Sequence, residues 1–165
     1  MIESIESFIS YFGGVRRRTK RYIKAIPAEQ VEWAPSENEF SCGDIVRHIT
    51  SGERMFVGVV VEGRWRYGGH ERTAENSSLS ELMAQLDATH AEAMDALRTL
   101  SDEQLLQKRP MLKGPPAKAW RILMAMIEHE IHHRSQLANH LTLMGVEPPQ
   151  IYGLGVEDVI ALAVG

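Results

Sequence analysis

Along four stretches of this chain apolar residues return every three or four positions, and no stretch alternates persuasively with period two. The first period belongs to helices and the second to half-buried strands, so the chain is confined to an all-α architecture of helices packed on helices. In residues 3 to 26 the repeat runs through Ile5, Phe8, Ile9, Phe12, Val15, Tyr22, Ile23 and Ile26, and Pro27 ends it. Within it RRRTKR, residues 16 to 21, distributes five basic side chains around the helix. Most of them are expected on a solvated face, with an anion or nucleic-acid patch as the other reading.

The second helix is announced by Ser41-Cys42-Gly43-Asp44. The serine oxygen can satisfy an orphan amide, and Asp44 faces the positive end of the helix dipole. This helix runs to about Val61, where GRWRYGGH, residues 63 to 70, interrupts it with three glycines. A third covers about 79 to 99 through Leu79, Leu82, Met83, Leu86, His90, Met94 and Leu97. After the loop SDEQLLQKRPMLKGPP, the longest helix is expected from near Pro116 to Met144, closed by Gly145. VEDVIALAVG adds at most a short terminal helix. The expected fold is a four-helix bundle with long crossing connections, one domain over residues 1 to 165. The segments 27 to 40 and 62 to 78 leave room for a non-sequential order of helices.

At 44% hydrophobic and 24% charged, 165 residues suffice for one soluble globular core. A formal charge of −4 and a pI near 6.0 offer nucleic acid or an anionic membrane no general attraction. Cys42 is the only cysteine, which excludes an intramolecular disulfide framework and a cysteine-only metal cage and suits a reducing, cytoplasmic setting. Glu3 and Glu6 stand where a signal peptide wants positive charge, and no apolar run approaches the roughly 18 residues of a membrane span.

Chemistry concentrates in HEIHHRSQL, residues 129 to 137. With His129 as origin, a turn of about 100° per residue places His133 near 40°, His140 near 20° and His132 near −60°. The apolar residues of this helix fall between roughly 20° and 160°. His129 and His133 therefore lie on the bundle-facing edge, whereas His132 shares its side with Arg121, Glu128 and Asn139 and is expected in water. Two imidazoles on one turn hold a divalent ion too weakly and openly for a stable site. His48 is the best third ligand, being in register with Ile45, Gly52, Met55 and Phe56 on the inner face of the second helix, with a glycine beside it to open space. The competing reading is a lone core histidine and a partly exposed pair, but three converging rings would each need a separate partner. His140 lies roughly 10 Å along the axis from His133, too far for the same ion. His90 is a weaker spare ligand, and His70 sits in a loop without a positional case.

The same stretch spells HExxH, the helix of zinc peptidases, in which the glutamate acts as general base. Its context does not follow. Gln136 and Asn139 stand where the extended motif has glycine and histidine, Glu147 and Glu157 lie in the loop-rich tail, and the edge strand that usually receives a peptide is missing. Glu130, near 100°, and Arg134, near 140°, then read as an i,i+4 charge pair inside the apolar arc, partly buried. A base or supporting acid near the metal is the functional alternative for Glu130.

With His48, His129 and His133 identified, the chain resembles the DinB-like (DinB/YfiT) superfamily over most of its length. IPAEQVEWAPSENEFSCGDIVRHITSGERMF is similar to its Trp-x-Pro loop and capped second helix, and EHEIHHRSQLANHLTLMGVEPPQIYGL to its last helix. The HxxxHRGQ pattern appears here as His129, His133, Arg134, Ser135 and Gln136. Ser135 replaces glycine near −120°, away from the site. The resemblance implies a four-helix bundle, often a homodimer, with zinc or nickel on three histidines and open coordination positions. Members with known activity include thiol-cofactor-dependent transferases and isomerases. The expected function is thus a metal-dependent enzyme acting on a small molecule with a low-molecular-weight thiol. The alternatives are a hydrolase or peptidase using Glu130, and a non-catalytic stress-response metal-binding module. Gln136 is expected to be a plain surface glutamine, with a hydrogen bond to a ligand histidine or the bound group as the other reading. Trp33 is expected to cover the site.

Overall fold

In the computed structural model, which describes residues 4–69 and 77–163, helix α1 spans Ile5–Lys24, α2 Cys42–Glu62, α3 Leu79–Arg98, α4 Ala119–Leu143 and a short α5 Val156–Ala163. His70, which carried no role, lies outside the described residues. The first three helices open on reciprocal serine caps. Ser4 pairs with Ser7, Ser41 with Asp44, and Ser78 with Glu81, each satisfying two amides that the first turn leaves without a partner. Gly63 closes α2 in the left-handed conformation at φ 74°, which a residue with a side chain adopts at a cost.

α4 does not begin at Pro116. Ala117–Lys118 forms a short strand, β2, antiparallel to β1 at Lys108–Arg109, and the Ala119 amide bonds to the Gln107 carbonyl at 2.9 Å. The backbone that a first-turn proline would have left free is drawn into this pairing, so the helix starts later.

Around the bundle α1 packs against α3 and α4, and α2 against the same two, so α1 and α2 face each other across a diagonal, as do α3 and α4. Two apolar clusters fill the two ends. Phe12, Val57, Leu97 and Leu123 belong to one, and Ile23, Ile49, Leu86 and Leu137 to the other. α1 and α4 pass from the first cluster to the second, while α2 and α3 pass from the second to the first. Neighbouring α2 and α3 are therefore parallel, and the end of α2 and the start of α3 lie at opposite ends of the bundle, about 30 Å apart for helices of this length. The all-α bundle with non-sequential helix order is as the sequence led us to expect. Among the described residues no helix is long and apolar enough to cross a membrane.

Between the clusters the waist of the bundle is polar. Arg16 on α1, Glu53 on α2, His90 on α3 and Glu130 on α4 meet there, and on each helix this polar residue falls between the two clusters. Arg16 Nη2 lies 2.7 Å from Glu130 Oε2 and 2.9 Å from Glu53 Oε2, with all three side chains almost wholly buried. This corrects the reading of RRRTKR as mostly solvated at its first residue. Arg16 follows Phe12 by four positions and so occupies the apolar stripe, where Glu53 and Glu130 neutralise it; Arg17 and Arg21 do face water.

Candidate metal centre

The capped start of α2 fixes the rotation of that helix and aims His48 at α4, one turn of which carries His129 and His133. One donor nitrogen from each of the three residues lies within 4.8 Å of the others. Ring centroids are 4.7 Å apart for His48 and His129, and 4.4 Å for each of the pairs with His133. His129 Nε2 and His48 Nε2 stand 2.9 Å apart. Two lone pairs at that separation repel unless a proton or a cation lies between them.

Close approach depends on Gly52. A Cβ at that position would fall 2.7 Å from His129 Cε1, so α2 passes the ring only because this residue has no side chain. Burial, reinforced by His133 and His48, drives the His129 imidazole down to about 3, leaving it neutral and ready as a ligand at ordinary pH.

The outer nitrogens of His133 and His48 are orienting handles. His133 Nδ1 meets Gln136 Oε1 at 2.6 Å, and a carbonyl oxygen only accepts, so the proton sits on Nδ1 and the Nε2 lone pair points inward. His48 Nδ1 meets the Tyr67 hydroxyl at 2.8 Å, which can hold the same tautomer. Gln136 is thus more than a surface glutamine, because it accepts from His133. Phe40 and Phe56 wall the cluster, each 5.5 Å between centroids from His48 and His129 respectively.

Other expectations sort as follows. His132 is exposed. His140 is buried away from the cluster, with Nε2 on the Phe40 carbonyl at 2.9 Å, and His90 is spent on Glu53 at 2.7 Å. Trp33 does not cover the site. It packs edge-on against His140 at 5.6 Å in the second apolar cluster, because the loop before α2 turns it inward there, and Phe40 and Tyr67 take the covering positions. The Glu130–Arg134 pair is also corrected. Glu130 turns to Arg16 across the bundle, where the partner is fully buried, and Arg134 lies over the Tyr22 ring at 6.0 Å. Tyr67 carried no sequence signal, since it sits in an irregular loop with no helical frame.

Three imidazoles converging from two helices, with the outer nitrogens of His48 and His133 tied back, define a helical-bundle protein with a three-histidine group that could hold a metal ion. The chain belongs to the DinB family, whose model matches residues 1–160. It is 26% identical over 140 residues to the uncharacterized protein YjoA of Bacillus subtilis, covering 83% of this chain and 88% of that one. The crystal structure of YjoA, a DinB-like protein, superposes with a TM-score of 0.70 at 23% identity, over 87% of this chain and 96% of that one. A DinB-like protein from Bacillus cereus gives 0.74 at 19% identity, over 91% and 99%. YfiT from Bacillus subtilis, described as a probable metal-dependent hydrolase with an unusual four-helix bundle topology, gives 0.68 at 18% identity, over 89% and 91%.

Proposed function

We propose that this protein is a metal-dependent enzyme in which His48, His129 and His133 hold one divalent transition ion, Zn²⁺ or Ni²⁺. The observation that carries it is the convergence of three imidazole nitrogens within 4.8 Å, one of them on a ring that burial keeps neutral. Neutral imidazoles suit zinc and nickel, and three protein donors leave positions open, as in catalytic rather than structural sites. An ion held there would supply Lewis acidity, lowering the pKa of a thiol or water and polarising a substrate.

The reaction we favour is group transfer or isomerisation of a small molecule with a low-molecular-weight thiol as nucleophile. Glu130, the one acid that HExxH would offer as base, is held by Arg16 in the waist, and a thiol needs no such base once ionised. Gln136 and Tyr67 orient the ligands. A second reading, hydrolysis, is favoured by the description of YfiT as a probable metal-dependent hydrolase. A cytoplasmic homodimer completes the proposal. The buried free Cys42 suits a reducing compartment, and the exposed apolar residues Val159, Ile160 and Leu162 of α5 suit contact with a second copy.

Metal analysis of untagged protein tests the site. His48→Ala and His133→Ala should each lose about one ion per chain, and His132→Ala should keep it; equal retention in all three would refute the centre. Cobalt substitution separates the reactions, since only a thiol-binding site develops sulfur-to-metal charge-transfer absorption on titration with small thiols.

A further inference from the structure

Helix α2 contains three glycines, and two have evident causes. A Cβ at Gly43 would meet Glu32, Arg47 and Val31 at 2.9 to 3.2 Å, and one at Gly52 would meet His129. At Gly58 a Cβ would meet nothing within 4 Å, although glycine inside a helix costs about 1 kcal/mol relative to alanine. Close packing therefore does not require this glycine. What it leaves is space: Gly58 lines a cavity of about 220 Å³ between α2 and α3, together with Val57, Val61, Ala93 and Ala96.

Arg54 stands at one end of that cavity and also lines a second one of about 200 Å³, with Arg66, Tyr67 and Gln85. The charges around it are unevenly matched. Arg66 is paired with Glu62 at 3.0 Å, and Arg47, which also lines the second cavity, is paired with Glu32 and Asp44. Arg54 donates to the Thr89 hydroxyl at 3.0 Å, a neutral partner, and has no carboxylate partner among the described residues. Glu62 and Glu92 also line the apolar cavity and would repel an anion beside them, Glu62 less so because it is paired with Arg66, which leaves Arg54 as the place for a negative group. The arrangement offers a cation with spare donors at the head of an apolar chamber that a glycine keeps open.

We infer that the groove between α2 and α3 binds a small carboxylate with an apolar tail. The carboxylate accepts from Arg54, and the tail lies along Val57, Gly58 and Ala93. At about 30 Å³ per water-sized group the apolar chamber admits a chain of several carbons. This site is separate from the three histidines and does not rest on the metal reading, although Tyr67, which bonds His48, lines the second cavity that shares Arg54 with the groove.

Hexanoate serves as the probe, with acetate, hexanol and hexylammonium as comparisons, in calorimetric titrations of the full chain with and without loaded zinc. Hexanoate should saturate one site per chain. Acetate should bind at least about 30-fold more weakly, because each buried methylene is worth about fourfold. Arg54→Gln should weaken hexanoate at least about 10-fold and leave hexanol unchanged. Gly58→Leu should abolish binding while retaining a parental circular dichroism spectrum, and if that variant does not fold, Arg54→Gln alone decides. His129→Ala should leave hexanoate affinity intact. Retained affinity in both groove variants, equal binding of hexylammonium, or loss in His129→Ala would overturn the proposal, the last by showing that the carboxylate binds at the histidines.

Discussion

Replacing Gly52 with alanine sets helix stability against ligand geometry and should move them independently. The new methyl carbon would fall 2.7 Å from His129 Cε1 and 3.2 Å from Nδ1. Carbon atoms sit comfortably at about 3.5–4.0 Å, so the ring must yield by about 0.8 Å or more. A metal site tolerates about 0.2 Å around a zinc–nitrogen distance of about 2.0–2.1 Å, so His129 is lost as a ligand or badly misplaced. Metal affinity should fall at least about 100-fold, the upper end of what disturbing a ligand's support costs. Folding stability responds differently: alanine gains about 1 kcal/mol of helix propensity, against about 1–3 kcal/mol for local overpacking. Zinc titration against a competing chelator and urea unfolding of the metal-free protein would measure the two effects. Gly58→Ala is the matched control, because a Cβ there meets nothing within 4 Å, and it should gain about 1 kcal/mol without changing metal affinity. Zinc affinity in Gly52→Ala within threefold of the parent would refute the assignment of Gly52 as the residue that admits His129.

Arg16→Met should cost about 3–5 kcal/mol in urea unfolding, because it leaves Glu53 and Glu130 buried without their cation; a loss under about 1 kcal/mol would show the charged waist to be dispensable. Gln136→Leu should lower zinc affinity about 10-fold or more with unchanged helix content, since His133 Nδ1 loses its acceptor. The metal-free protein should lose stability as pH falls from about 6.5 toward about 3, because His129 is held at about 3 when folded and takes up its proton first when unfolded. Urea midpoints at pH 7.5 and 4.5 would show this, and in His129→Asn the decline should be shallower; the same slope in both proteins would assign the acid sensitivity to other groups.

Much of the site was legible because a helix repeats locally. A fixed turn per residue was enough to separate His133 from His132 and to put His48 on the inner face of its own helix, and the structure brings His48, His129 and His133 together while leaving His132 exposed. The same period carried a signal that composition concealed. Arg16, Glu53 and Glu130 all fall within apolar stripes, where a charge needs a buried partner. The period could not say which partner. Arg134, four residues from Glu130, was the nearest candidate in sequence, yet Arg16 is bonded to Glu130 from 114 residues away.

The sequence by itself determined the helices, their caps, the inward faces and three histidines able to meet, since these follow from backbone geometry and from which side chains water rejects. Tertiary structure alone decided the parallel pairing of α2 with α3, the partner of Glu130, the placement of Trp33 on His140, and Tyr67 as the support of His48. Each of these depends on which helix or loop lies opposite. Loops such as residues 63–69 have no periodic frame from which a side chain's direction can be read.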